Sequence, residues 1–159
     1  MVRRINGYTL IELMTVIAII AILAMMATPS YLDRNIRNQI TEALPLADIA
    51  KAPISITWAS TTSFPADNAS AGLPAADKIV NNFISSVSVE EGSIQVTFGN
   101  RANRLLQGKI LTIRPAVVED APIVPIAWVC GHSAAPGNMT VKGINKTDIP
   151  AGYLPFKCR

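Results

Sequence analysis

Hydrophobic positions fall into three regimes along the chain, and each predicts a different kind of element. From Tyr8 to Thr28 the side chains are apolar almost without interruption (YTLIELMTVIAIIAILAMMAT). As a helix rising 1.5 Å per residue this stretch covers roughly 31 Å, close to the hydrocarbon thickness of a bilayer, so one membrane span is expected. Beyond it, Ile36, Ile40, Leu44, Ala47, Ala50, Ile54 and Trp58 recur at spacings of 4, 4, 3, 3, 4 and 4, which is one face of a helix. Asp33, Arg37, Glu42 and Lys51 lie on the other side. The pattern predicts a single long helix, apolar all round over 8–28 and amphipathic over 29–59. Pro29, Pro45 and Pro53 each remove a backbone donor and crowd the preceding turn. Each predicts a kink, and Pro45 or Pro53 could end the helix.

Residues 60–92 begin with STTSFPADNASAGLPAADK, small and polar without a period, and are expected to form a connecting loop region. From there the period changes to two. Ser93–Phe98, with Ile94, Val96 and Phe98 alternating, Lys109–Arg114, and Ile126–Cys130, with Ile126, Trp128 and Cys130 alternating, read as strands of an antiparallel meander. Gly99-Asn100 and Gly108 mark the first connection, while Pro115, Pro122 and Pro125 confine the second to irregular backbone or edges. The fold class is α+β: a long N-terminal helix whose amphipathic half packs on a small antiparallel sheet over 93–159. The face bearing Ile94, Val96 and Phe98 is the expected cover for the helical stripe.

The start of the chain changes this picture. MVRRING is short, basic and polar and ends on a small residue, like the beginning of an export signal. An ordinary signal peptide is cut after its apolar core. Here the candidate cut at Gly7 comes before the core, so the helix stays with the mature chain. Arg3 and Arg4 hold the N-terminus on the cytoplasmic side and send the rest across. Glu12 then stands out, because a carboxylate inside a membrane segment is costly and calls for a partner. Cutting after Gly7 would create an α-amino group on Tyr8, cationic near neutral pH, and a carboxylate on one subunit could neutralise the amine of another. The alternative is that Glu12 snorkels to the headgroups.

Charge and composition mainly exclude. The net charge is +3, of which Arg3 and Arg4 supply two, and no Lys/Arg cluster of the kind that tracks phosphates follows. Arg101 and Arg104 read as a solvated loop pair, and Lys142, Lys146, Lys157 and Arg159 give only a faint basic bias to the tail. His132, the single histidine, sits in a Gly/Ser/Ala/Pro-rich loop without further metal ligands nearby. Asp67, Asp77, Glu90 and Glu91 are scattered surface acids. No nucleophile has a His base beside it and no glycine-rich phosphate cradle is present, so the reading is non-enzymatic, with no metal and no cofactor. Asn68, Asn138 and Asn145 each begin an Asn-X-Ser/Thr triplet, a pattern that arises often by chance. The two cysteines, Cys130 and Cys158, are an even count in an exported chain and favour one disulfide over two free thiols. That bond would close a Gly/Pro/Asn-rich tail that has no long apolar run to hold it.

Gly7-Tyr8-Thr9-Leu10-Ile11-Glu12-Leu13 resembles the type IV prepilin signature, with Tyr8 where Phe is commoner. Trp128-Val129-Cys130-Gly131, Ile149-Pro150 and Tyr153 to Arg159 (YLPFKCR) resemble the ending of type IVa major pilins, so the likeness brackets the chain. The resemblance implies cleavage between Gly7 and Tyr8 by a membrane-embedded peptidase that also N-methylates Tyr8, and assembly through Glu12, Thr9 and Pro29. Pro29 would be a point where the helix loosens in the filament. It further implies a ladle fold, identical subunits and the pilus assembly machinery as partners, storage in the inner membrane, and an extracellular filament used in adhesion, twitching motility or DNA uptake. A minor pilin acting as a surface or DNA receptor, or a type II secretion pseudopilin, shares the N-terminal signature.

Overall fold

The structure, a computed structural model, describes residues 7–159, leaving aside the side chains of 27–30. The basic leader with Arg3 and Arg4 and the side chain of Pro29 lie outside the described residues. The chain divides into one unit ending at Asn35 and another running from Ile36 to Arg159. Helix α1, Leu10–Thr61, contributes to both.

In the first unit every described side chain of α1 is exposed. Isoleucine, leucine and methionine on all sides of a helix find no protein to pack on within this unit, and burial therefore has to come from lipid or from other chains.

In the second unit α1 buries Ile36, Ile40, Ala43, Ala47, Ala50, Ile54 and Trp58. Six of these seven are the predicted stripe. Leu44 turns away, packing on the core only partly, and Ala43 takes its place. The other side of the helix is less polar than expected, because Ile49 and Ile56 are exposed there and Arg37 is half-buried. Pro45 and Pro53 do not end α1. Its last turns, Ile54-Ser55-Ile56-Thr57, are poor helix formers, so burial of Ile54 and Trp58 rather than propensity keeps them helical. Ser55 Oγ donates to the Lys51 carbonyl at 2.8 Å, Thr57 Oγ1 to Pro53 at 3.0 Å and Thr61 Oγ1 to Thr57 at 2.7 Å, the back-bonding open to hydroxyls inside a helix. The chain then turns at Thr62, with φ of +53°, and Phe64 stacks on Trp58 with ring centroids 4.6 Å apart.

The sheet contains β1 (Ile84–Glu90), β2 (Ser93–Phe98), β3 (Ile110–Val117), β4 (Ala127–Cys130) and β5 (Thr140–Val141). β1 to β4 pair antiparallel in sequence order, and β5 pairs with β3. The alternation in Ser93–Phe98 locates β2 correctly, and Ile94, Val96 and Phe98 join the helix stripe in one buried cluster. Three strands differ from expectation, the short β5 being one that no pattern announced. Within the 60–92 connection, residues 84–90 form β1, whose buried positions Ile84, Val87 and Val89 are spaced three and then two apart. A register shift between Ile84 and Ser86 inserts the extra residue, which hides the period of two. β3, an inner strand, also runs through Pro115, which was expected in irregular backbone or at an edge. The C=O and missing N–H of a strand residue share one side; Pro115 O accepts from Lys142 N at 2.9 Å, while the β2 pairing stops at Ile113. The absent donor falls where β2 has ended, so β2 loses no bond to it; the bond forgone is the one to the Lys142 carbonyl, at the end of the two-residue β5 ladder.

β1 is an edge strand, and Asn68 closes part of that edge. Its Nδ2 donates to the carbonyls of Val87 (3.0 Å) and Pro74 (2.9 Å), and its Oδ1 accepts from Val89 N at 2.6 Å. One buried amide thus imitates a neighbouring strand for two residues.

The tail is held at several points besides the disulfide. Cys130 and Cys158 are bonded, with Cα atoms 4.5 Å apart. Asp148 takes Ile110 N at 2.6 Å and Lys109 Nζ at 3.2 Å, and Arg37 donates to Gly152 O at 2.7 Å. Residues 144–147 cover the face of the sheet opposite the helix. There Thr112, fully buried, donates to Gln95 Oε1 at 2.6 Å and accepts from Lys146 N at 2.9 Å, while Thr147 Oγ1 accepts from Thr112 N at 3.0 Å.

Candidate assembly site

The residues singled out at the start of the chain form a local device. α1 begins at Leu10, so Thr9 is its cap and Glu12 the third helical residue. Thr9 N and Thr9 Oγ1 both donate to Glu12 Oε2 at 2.9 Å, and Glu12 N approaches Thr9 Oγ1 at 3.4 Å. This is a reciprocal capping box, in which each side chain satisfies a backbone donor that the helix end leaves unpaired. The carboxylate is also placed in the first turn, where the helix dipole favours it. Glu12, which by charge alone is expected to need a partner from another subunit, thus already has one in Thr9, and the Thr-x-x-Glu spacing is the sequence signal of that box.

Gly7 and Tyr8 precede the helix and are exposed, and a Cβ built on Gly7 would meet nothing within 4 Å. Crowding among the described residues therefore does not require glycine there. Thr15 Oγ1 bonds to Glu12 O at 2.9 Å and leaves the carboxylate unaffected. Only one end of this site is polar, and the helix after it is apolar and bare.

Elsewhere the titratable residues are structural. Asp67 sits below the usual carboxylate range because the Ser70 backbone N–H, and then its hydroxyl, bond to it. Lys142 pairs with Glu119 and Lys146 with Glu90, which neutralises half of the tail's basic bias. Arg159 donates to the carbonyls of Leu154 and Gly152. His132 is exposed, with Nδ1 3.4 Å from Asn145 Nδ2. Among the described residues no three His, Cys, Asp or Glu side chains gather as a metal site.

An exposed apolar helix with a capped start, continuing into an α/β head closed by a disulfide, is the build of a filament subunit. Residues 37–159 match the family model described as pilin, a bacterial filament protein, and residues 2–28 match the prokaryotic N-terminal methylation motif. The chain belongs to the pilin family. It is 35% identical to the type IV major pilin protein PilE of Neisseria gonorrhoeae, over 97% of this chain and 93% of that one. Similar matches are the fimbrial protein EcpC of Eikenella corrodens, 35% identical over 97% and 90%, and a fimbrial protein of Moraxella nonliquefaciens, 33% identical over 94% of each.

Proposed function

We propose that this chain is a structural subunit of a type IV pilus, cut between Gly7 and Tyr8, N-methylated on Tyr8, stored in the inner membrane through residues 8–28 with its N-terminus cytoplasmic, and polymerised into a surface filament. The observation that carries this reading is the apolar half of α1, exposed on every side from Leu10 to Met26 and interrupted by one carboxylate. Such a surface is stable in lipid and equally suited to a bundle of its own kind, so moving from membrane to filament exchanges one apolar environment for another.

Glu12 supplies direction. While the chain is stored, Thr9 meets one carboxylate oxygen. Glu12 retains acceptor capacity on its other oxygen, and the amine created on Tyr8 by cutting is a cation left in the same apolar layer. Pairing that amine with the Glu12 of a neighbouring subunit neutralises both, which makes the cut a switch from stored to assembling subunit. Thr9 orients the carboxylate, and Pro29 is the assigned point at which the helix loosens on assembly. The partners are identical subunits, a prepilin peptidase and methyltransferase, and the pilus assembly machinery. The relatives are named major pilins and fimbrial proteins, which favours a principal subunit over a receptor-type minor pilin or a secretion pseudopilin. Mass spectrometry of sheared filaments tests the reading. An N-methylated Tyr8 as first residue is expected, and filaments whose subunits still begin at Met1 would refute processing.

A further inference from the structure

The head unit carries an apolar projection at one end of its helix segment and an apolar recess at the other. Phe156 is 91% exposed, beside exposed Lys157 and Arg159. Lys157 borders a cleft lined by Thr41, Leu44 and Lys51, which ties the projection to the early part of the segment. The recess lies at the late part: a cleft of about 250 Å3 between Ser55, Ile56, Trp58 and Ala59 of α1 and Pro122 to Ile126 of the β3–β4 connection. The helix residues lining the two clefts are centred near positions 46 and 57, roughly 16 Å apart at 1.5 Å per residue, so the projection lies at an earlier level of the segment than the recess.

Three features say what the recess takes. Ile56 at its rim is 70% exposed and Ile123 is 90% exposed, the two largest apolar exposures of the head besides Phe156. Trp58 in its wall is buried, and its indole N–H has no hydrogen-bond partner among the described residues, although a buried indole ordinarily finds one. The volume exceeds the roughly 150 Å3 known to hold a benzene ring. The connection leading into the recess begins Glu119-Asp120. Glu119 is held by Lys142, and Asp120 is exposed, opposite in sign to Lys157 beside the projection.

A filament of identical subunits needs heterologous contacts, in which one patch meets a different patch on the next copy and the rotation does not close. A projection and a recess of matching chemistry at opposite levels of one head meet that requirement. We propose that Phe156 of one subunit seats in the Trp58–Ile123 recess of a second copy along the filament, its ring against Ile56 and Ile123 and Lys157 facing Asp120. The inference rests on the filament reading above.

The test places a benzophenone amino acid at position 156 and irradiates assembled filaments, diluted with unsubstituted subunits should the bulkier ring hinder assembly. Peptide mass spectrometry should find the crosslink on residues 55–59 or 122–126 of a second subunit, and Ile123→Asp should abolish it. Crosslinks elsewhere on a second copy, on another protein, or none at all in filaments that form would overturn the contact while leaving the filament reading intact. Unsubstituted chain that forms no filaments would sink both. As a second arm, Asp120→Lys and Lys157→Asp should each lower filament yield at low salt, and the double exchange should restore it. Equal yields in all four chains would also count against the contact.

Discussion

Asn68 offers the sharpest test of how the head is held together. It is 9% exposed and bonds the carbonyls of Pro74 and Val87 and the N–H of Val89. Asn68→Ala removes all three bonds. Pro74 is exposed, so water can replace its partner, but Val87 and Val89 are buried at the sheet edge. Two buried backbone groups left short, at about 1–3 kcal/mol each and eased by water reaching the edge, give an expected loss of about 2–4 kcal/mol. At roughly 4 °C per kcal/mol for a domain of this size, the melting temperature of detergent-solubilised protein should fall by roughly 8–16 °C. Asn68→Asp keeps the acceptor for Val89 and turns the donors into acceptors aimed at two carbonyls, so it should do no better. Asn138→Ala, on an exposed side chain, should stay within about 0.5 kcal/mol. Circular dichroism gives the melts, and hydrogen exchange reads the Val89 amide directly. A loss below about 1 kcal/mol, or a Val89 amide that stays protected, would refute the edge-closure argument.

Other consequences follow from the same geometry. Replacing Cys130 and Cys158 by serine should cost about 3.5 kcal/mol on chain-entropy grounds for a separation of 28 residues, seen as a lower melting temperature; an unchanged melt would mean that the Asp148 and Arg37 contacts alone hold the tail. Pro45 is exposed within α1, so Pro45→Ala should raise head stability by about 1–3 kcal/mol, and a lower melting temperature would contradict the view that this proline is merely tolerated. Asp67 has a lowered pKa in the folded chain, so its small contribution is present above the usual carboxylate pKa of about 3.9 and is lost as pH falls through the folded value. Ser70→Ala keeps the backbone N–H, the larger cause, so it should move the Asp67 titration only slightly upward by NMR, and a large upward movement would sink that assignment.

The parts of the fold legible in the sequence are those in which one period and one environment persist. The apolar run of 8–28, the stripe from Ile36 to Trp58 and the alternation of Ile94, Val96 and Phe98 are of that kind, and each forms the element expected. Failures occur where two local rules compete. Proline argued for breaks at Pro45, Pro53 and Pro115, but buried neighbours keep α1 going, and β3 places Pro115 beyond the end of its pairing with β2. β1 escaped because its register shift breaks the alternation, and β5 is only two residues long. The closing of the β1 edge by Asn68 joins residues about twenty positions apart, and no local pattern announces it. At the candidate assembly site, charge and order single out Gly7, Tyr8 and Glu12. The Thr9–Glu12 box is legible in the Thr-x-x-Glu spacing, but a carboxylate in an apolar run fits a membrane partner as readily as a cap, and the pattern alone does not choose between them.

That box makes one comparison decisive for the central claim, that Glu12 draws subunits together by its charge. Glutamine in the third helical position still closes a capping box, so Glu12→Gln preserves the helix start and removes only the charge, whereas Glu12→Ala removes both. Sheared filaments counted by electron microscopy, beside membrane fractionation of the same cells, separate the two roles. The account predicts that both variants insert normally and that both assemble poorly. Filament yield for Glu12→Gln equal to that of the unsubstituted chain would show that Glu12 serves only to cap its own helix, and would contradict assembly by charge pairing.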